Sequence, residues 1–371
     1  MRVLAIVPSI YDTSPGQRFR IEQWEPLLRG MGVEIVYQPF ESEELHRVLY
    51  QPGNMGRKAA LIASSFGRRF RMLTSAQEFD LVYIFREAAL LGPAVIERII
   101  GWTGLPVVFD FDDAVFVSYV SPSNGYLSKL KFPGKTANIC RLSAHVMAGN
   151  SYLAEYSRQY NLNVTIIPTT IDTDKYLPSD ESLAETGNPI KELTIGWSGS
   201  FSTVQHLDTL RGSLERLGES ERYRLRVIGT PDYRLNGVEV EALAWRSATE
   251  VEDLRAIDIG IMPLPDDKWS RGKCGLKALQ YMALGIPTIC SPVGVNTEII
   301  EDGVNGFLAD SDGQWIDKLR RLIHSPELRR RIGMAGRRTV EERYSAAVQA
   351  PRVYEVFERV FSECGARGRR Y

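Results

Sequence analysis

Apolar residues along the chain fall into runs of strand length, and polar stretches with a helical period of apolar positions separate them. In the first half the runs predict strands at Val3–Val7, Val33–Tyr37, Leu81–Phe85, Val107–Phe109, His145–Ala148 and Val164–Ile167. The second half repeats the rhythm at Leu193–Trp197, Leu225–Ile228, Ile257–Met262 and Pro287–Cys290, with a short strand near Gly306–Ala309. Strands that alternate with helices, and that are apolar on both faces, imply parallel sheets covered on both sides, an α/β doubly wound plan. Two series imply two domains, residues 1–170 and 193–350. Between them lies TIDTDKYLPSDESLAETGNPIKEL from Thr170, polar and with two prolines, so 171–192 is read as the linker. A closing helix at about 351–371 is expected to complete the first domain.

In open parallel sheets, ligands sit beyond the carboxyl ends of the strands, where loops feed helix N-termini that favour anions. The second half offers three such loops. WSGSFSTVQHL places Gly199 and Ser200 after one strand. PLPDDKWSRGKC brings Arg271 and Lys273 to a helix that starts near Gly275, and SPVGVN opens another helix near Thr297. On the helix after Gly275 the spacing puts Leu276, Leu279 and Ala283 on a buried stripe. Lys277, Gln280 and Tyr281 fall on another face, so Lys277 and Gln280 are expected to reach one ligand together. The arrangement describes a pocket for a multiply charged phosphate ester. Solvated lysines and ordinary turn glycines are the competing reading.

Composition narrows the choice. With 45 basic and 46 acidic residues among 371, the net charge of −1 argues against a general nucleic-acid binder, so any anion site is local. Cys140, Cys274, Cys290 and Cys364 lie far apart without a CxxC pair, which indicates neither a zinc site nor a disulfide framework and fits a reducing cytoplasm. The opening MRVLAIVPSI lacks the pattern of a signal peptide, and no window reaches the roughly 18 apolar residues of a membrane span. The four histidines are scattered singly, and His145, inside an apolar run, reads as structural.

Three stretches of the first half carry further chemistry. PSIYDTSPGQRFR starts a helix near Gly16 and sets Arg18 and Arg20 near the cleft, unless they are plain first-turn charges. VVFDFDDAVF presents Asp110, Asp112 and Asp113 at a strand's carboxyl end, as candidates for acid–base chemistry or, equally, as a strand end followed by a helix cap. Residues 53–76 hold Arg57, Lys58, Arg68, Arg69 and Arg71 with no acidic residue, interleaved with Leu61, Ile62, Phe66, Phe70 and Met72. That basic amphipathic pattern suits an anionic membrane surface or a lipid diphosphate, and equally a packed helix with a solvated basic face.

The stretch KCGLKALQYMALGIPTICSPVGVNTEIIEDGVNGFLAD resembles the nucleotide-sugar site of the family 4 glycosyltransferases, retaining enzymes of the GT-B fold, in which two Rossmann-like domains face each other across a cleft. The similarity covers nearly the whole chain. It includes AGNSYLAEYSRQY with VTIIPTTIDTDKY, IGWSGSFSTVQHL, and the closing RRRIGMAGRRTVEERYSAAVQAPRVYEVFERV. Two family features are altered. Gly272 and Gln280 stand where many members carry a pair of glutamates, and Ser200 and Gln205 stand for the usual arginine and lysine.

The resemblance implies donor contacts from Gly16, Gly199, Ser200, Arg271, Lys273, Lys277, Gln280, Gly294, Val295, Asn296, Thr297 and Glu298. Catalytic roles fall to Lys277, Asp112 and Asp113. Apart from the resemblance, Trp245, Glu250 and residues 231–237 are taken as candidates for the base pocket. The resemblance further implies a retaining transferase that works without a metal cofactor. A nucleotide diphosphate sugar would be the donor and a glycan or lipid-linked carrier the acceptor, in cell-surface polysaccharide or glycoconjugate synthesis. Arg18 and the basic stretch would serve the acceptor or an anionic surface on the cytoplasmic face of the membrane. The alternative is a non-catalytic nucleotide-sugar-binding or scaffolding protein of the same fold.

Overall fold

In the computed structural model the chain divides into two compact units, Met1–Thr169 with Gln349–Tyr371, and Thr170–Val348. The structure describes residues 1–49, 51, 53–117, 132, 134–179, 192–200 and 203–368. Most of the polar stretch after Thr170 therefore lies outside the described residues. Its beginning packs into the second unit: Ile171 is fully buried and exchanges backbone hydrogen bonds with Tyr344 and Ala346, and Tyr176 is buried beside it.

The first unit is built on six parallel strands, β1 (Arg2–Val7), β2 (Glu34–Pro39), β3 (Leu81–Phe85), β4 (Val107–Phe111), β5 (His145–Ala148) and β6 (Val164–Ile166), in the order β2-β1-β3-β4-β5-β6. Each residue of β3, β4 and β5 is buried, as expected of strands covered on both faces. Strand order reverses between β1 and β3, so the loops after these strands diverge and leave a crevice at their carboxyl ends. The long helix Ala346–Gly368 belongs to this unit from Gln349 on, and Phe357 meets the ring of Tyr83 edge-on at 6.1 Å.

The helix Met55–Leu73 corrects the reading of the basic stretch. Its buried face consists of Lys58, Ser65, Arg69 and Met72, whereas Ala59, Ala60, Ala63, Ser64 and Phe70 face solvent. Arg69, 2% exposed, donates to the carbonyls of Ala88 at 2.8 Å, Val7 at 2.8 Å and Gln38. Lys58 donates to the carbonyl of Gln51, and Arg68 to that of Phe40 at 2.7 Å. Three of the five cations thus turn inward and donate to carbonyls, among them those of Val7 and Gln38 near the carboxyl ends of β1 and β2. Of the two exposed ones, Arg57 is paired with Glu44 at 2.6 Å. The five do not form one solvated basic face. Among the described residues no helix is long and apolar enough to cross a membrane.

The second unit repeats the plan with β7 (Leu193–Ser198), β8 (Tyr223–Ile228), β9 (Glu239–Leu243), β10 (Ile259–Met262), β11 (Thr288–Cys290) and β12 (Phe307–Leu308), in the order β12-β11-β10-β7-β8-β9. Its core gathers Trp197, Leu214, Leu225, Ile259, Ile289, Trp315 and Leu319. Here the reversal falls between β7 and β10. Strand β9 was not expected from sequence: it is an edge strand, half-exposed, and its EVEAL carries two glutamates where an interior strand would be apolar.

Candidate functional site

In the second unit the crevice lies between the loop after β7 and the loop after β10. Gly199 leaves β7 folded back on the indole of Trp197, where an added Cβ would stand 2.2 Å from the ring. Its carbonyl leaves no room at Gly229, which has φ +100 and where a Cβ would lie 1.7 Å from that oxygen. Two glycines therefore let the chain pass close over Trp197.

The loop after β10 ends in the turn Ser270–Gly272, and Gly275 at φ +71 starts the helix Leu276–Ala283. The first-turn amides of this helix have no intrahelical acceptors, as at any helix start. Lys277 sits in that turn with its Nζ 5.2 Å from the centre of the Trp197 ring, and the Nζ of Lys273 stands 5.6 Å from that of Trp269. Both ammonium groups are thus placed by indole faces. Their charges are felt by His206, on the short helix after β7: burial first, and then Lys273 and Lys277, pull its imidazole down to about 4, with Asp267 opposing.

Other expected donor contacts are placed differently. Gln280 is turned inward, 3% exposed, and donates to the hydroxyl of Tyr176 at 3.2 Å and to Glu250 at 3.3 Å. Tyr281 is fully buried and its hydroxyl accepts from the Ser198 amide at 2.7 Å, so neither shares a ligand-facing surface with Lys277, and the helix reading is corrected there. Leu276, expected on the buried stripe, is partly exposed. Arg271 is exposed and makes a two-pronged pair with Asp266 at 2.6 and 2.9 Å, which offsets its charge. Ser200 is exposed beside Thr203.

In the loop after β11, Gly294 lies against the backbone of Arg271, where a Cβ would come within 2.8 Å of its carbonyl oxygen. Val295 is buried. Asn296 is buried and braces the loop through Ser291, its amide donating to that carbonyl at 3.0 Å. Thr297 and Glu298 face solvent on a single helical turn. In the expected base pocket, Glu250 is buried and accepts from Trp245 at 3.0 Å and Tyr176 at 2.8 Å.

At the first unit's crevice, Gly16 follows β1 and Arg86 follows β3. A Cβ on Gly16 would lie 2.6 Å from Nη2 of Arg86 and 2.7 Å from Oδ2 of Asp112. Arg86 adopts φ 58, uncommon for a residue with a side chain, and its Nε donates to Asp112 at 2.7 Å. Asp113 has its Oδ2 4.0 Å from Arg86, and its Oδ1 accepts from the Ala114 amide at 3.1 Å. Asp110 points the other way: with Arg20 it forms a fully buried two-pronged ion pair at 2.5 and 2.7 Å, and Tyr83 donates to it as well. Arg20 is therefore structural, and Arg18 is mostly buried with its Nε 2.7 Å from Asp12.

Arg86, His206 and Trp197 were not singled out by sequence reasoning. The signal existed for Arg86 as the first residue beyond the apolar run LVYIF, but a lone arginine there is indistinguishable from a surface charge until Asp112 and Gly16 are seen against it.

Residues 192–325 match the family model described as "Glycosyl transferases group 1". This part of the chain is similar to the group 1 glycosyltransferases. It contains the loops after β7, β10 and β11 and both lysines. In Arabidopsis thaliana, the sulfoquinovosyl transferase SQD2 is 27% identical over 187 residues, a stretch of 44% of this chain and 35% of that protein. The match thus spans well under two thirds of the curated relative's length. Among solved structures, a sucrose-phosphate synthase (tll1590) from Thermosynechococcus elongatus is 15% identical with a TM-score of 0.69, covering 98% of this chain and 100% of that one. Anabaena Alr3699/HepE, solved in complex with UDP and glucose, is 15% identical with a TM-score of 0.68, covering 96% and 99%. Together with the two sheets, these neighbours make the fold GT-B, a group 1 domain preceded by a second doubly wound unit.

Proposed function

We propose that the chain is a retaining glycosyltransferase that takes a sugar from a nucleotide diphosphate donor, held by the group 1 domain, to a hydroxyl of a glycan or lipid-linked acceptor presented by the first unit. The observation that carries this reading is Lys277, set over the Trp197 indole in the first turn of a helix at the switch point of the sheet. A cation and helix-start amides at one place suit a leaving diphosphate, whose growing charge they meet in the transition state. Lys273 adds a second charge, and Arg271 a third once it parts from Asp266. The backbone of Gly294 to Thr297 and the carboxylate of Glu298 are assigned to the donor sugar and its phosphates. The complex of HepE with UDP and glucose supports a nucleotide-sugar donor.

On the first unit, Asp112, fixed by Arg86 beside Gly16, and Asp113 are assigned to the acceptor hydroxyl. The reaction proceeds without a metal in this reading, because Asp110 is committed to Arg20 and Tyr83, and Asp112 to Arg86, which leaves the DFDD stretch without a pair of available carboxylates. EDTA is expected to leave turnover unchanged. Complete loss, with rescue by Mn²⁺, would overturn the assignment.

The test of the function is nucleotide release from a panel of uridine, guanosine, adenosine and thymidine diphosphate sugars, with and without glycan and polyprenyl acceptors. Release that depends on one donor supports the transferase. Saturable donor binding without release under any acceptor would favour a binding or scaffolding protein instead.

A further inference from the structure

We propose that Arg86 is a positioning residue for the acceptor: a braced left-handed turn after β3 sets its guanidinium beside Asp112 and Asp113, and the guanidinium aims their carboxylates at the attacking hydroxyl. The inference rests on the transferase reading above and deepens its acceptor side. Arg86 leaves β3 at φ 58, a conformation that a residue with a side chain keeps only where its surroundings over-determine it. They do so here residue by residue. The Arg86 amide donates to the carbonyl of Asp110 at 2.7 Å. The Ala88 amide donates to Oε1 of Glu97 at 2.9 Å, and the Ala88 carbonyl accepts from Arg69 at 2.8 Å. Lys135 pairs with Glu87 at 3.1 Å, lies 3.6 Å from Glu97 and donates to the carbonyl of Ala89. Three buried charges, Arg69, Glu97 and Lys135, thus converge from three different helices on one four-residue stretch. Burying them is costly, whereas a turn needed only for its backbone would be satisfied by glycine at position 86.

What the brace delivers is the guanidinium. Nε of Arg86 donates to Oδ1 of Asp112 at 2.7 Å, and Nη2 stands 4.0 Å from Oδ2 of Asp113. Neighbouring carboxylates repel, and a cation beside both offsets that repulsion. Gly16, after β1, completes the arrangement. A Cβ there would lie 2.6 Å from Nη2 of Arg86 and 2.7 Å from Oδ2 of Asp112, so the pair occupies the space that a side chain at position 16 would need. Arg86 and Asp113 are partly open to solvent, whereas Asp110, at the end of the same strand, is fully buried with Arg20. The carboxylates that remain for an acceptor are therefore the two that Arg86 holds. A planar guanidinium fixes direction as well as charge, which a lysine ammonium would not. Arg86 acts through Asp112 and Asp113 and needs no contact with the acceptor itself.

The experiment measures sugar transfer by the full chain, with the pair that wild type uses best among UDP-glucose, GDP-mannose and ADP-glucose as donors and octyl glucoside, octyl galactoside and polyprenyl diphosphate N-acetylglucosamine as acceptors. Glycine accepts the left-handed backbone, so Arg86→Gly removes the guanidinium without adding strain and is expected to melt close to wild type. Its kcat for transfer is expected to fall on the order of a hundredfold, with donor affinity by calorimetry unchanged. Guanidinium or ethylguanidinium ion, added far below denaturing concentrations, is expected to restore much of the lost rate, and ammonium ion none of it. Arg86→Lys is expected to stay close to Arg86→Gly. Should Arg86→Gly fail to fold, Arg86→Asn, which also tolerates the left-handed region, takes its place. Transfer near the wild-type rate in a folded variant, or a loss that added guanidinium leaves unchanged, would overturn the positioning role while leaving the transferase reading standing. Donor turnover by wild type that no acceptor accelerates would overturn both.

Discussion

Lys277 and Gln280 are three residues apart on one helix, yet one reaches the crevice and the other is buried. The difference is set by partners far away in sequence. Glu250 and Tyr176 close around Gln280, and nothing in the helical period announces residues 30 and 104 positions away. This explains why glycine and lysine positions in the loops were legible while the fate of Gln280 was not. It also bears on what a glutamate would do at that position. Gln280→Glu would set a second buried carboxylate against Glu250, and two like charges would then share one buried site. The variant is expected to lose on the order of 3 kcal/mol of unfolding free energy in urea melts, with no gain in activity. Stability equal to wild type would mean the pocket around Glu250 is open to water.

At the level of elements, strand positions were readable because buried parallel strands are apolar throughout, and every strand but β9 overlaps a run read from the sequence. The edge strand β9 escaped because its exposed register tolerates glutamates. For Met55–Leu73 the helical period was visible but its orientation was not. Sequence reasoning sends cations outward, whereas here Arg69 and Lys58 are spent on carbonyls of the underlying framework. The consequence is measurable. Arg69→Met would remove a buried donor shared by three carbonyls and is expected to cost on the order of 3 kcal/mol. Arg71→Met, on the exposed side of the same helix, is expected to fall within about 0.5 kcal/mol of wild type. Equal effects in urea denaturation would restore the picture of a solvated basic face.

On the scale of the whole molecule, the two units are both six-stranded parallel doubly wound sheets, with different strand orders, and differ in how they respond to acid. In the second unit burial and two lysines hold His206 at about 4, below its ordinary 6.5. An unfolded chain therefore binds more protons than the folded one between these values, and stability is lost as pH falls from about 6.5 to about 4. His145 acts the same way in the first unit, where burial brings it to about 4. There Glu22 opposes it: burial raises its carboxyl to about 6, so the folded state takes up that proton first and gains stability as pH falls. Burial raises Glu41 as well. Urea titrations with pulse proteolysis, and peptides assigned to each unit, should show the second unit weakening more steeply below pH 6.5. A first unit that fails earlier would contradict this balance. The central claim is that the group 1 domain holds a leaving diphosphate through Lys277, and the most direct measurement is nucleotide release by wild type and Lys277→Ala on the preferred donor. Removing a charge aimed at the departing group is expected to lower kcat on the order of a hundredfold, about 3 kcal/mol, with the melting temperature nearly unchanged. Turnover close to wild type in a folded Lys277→Ala protein would contradict the account.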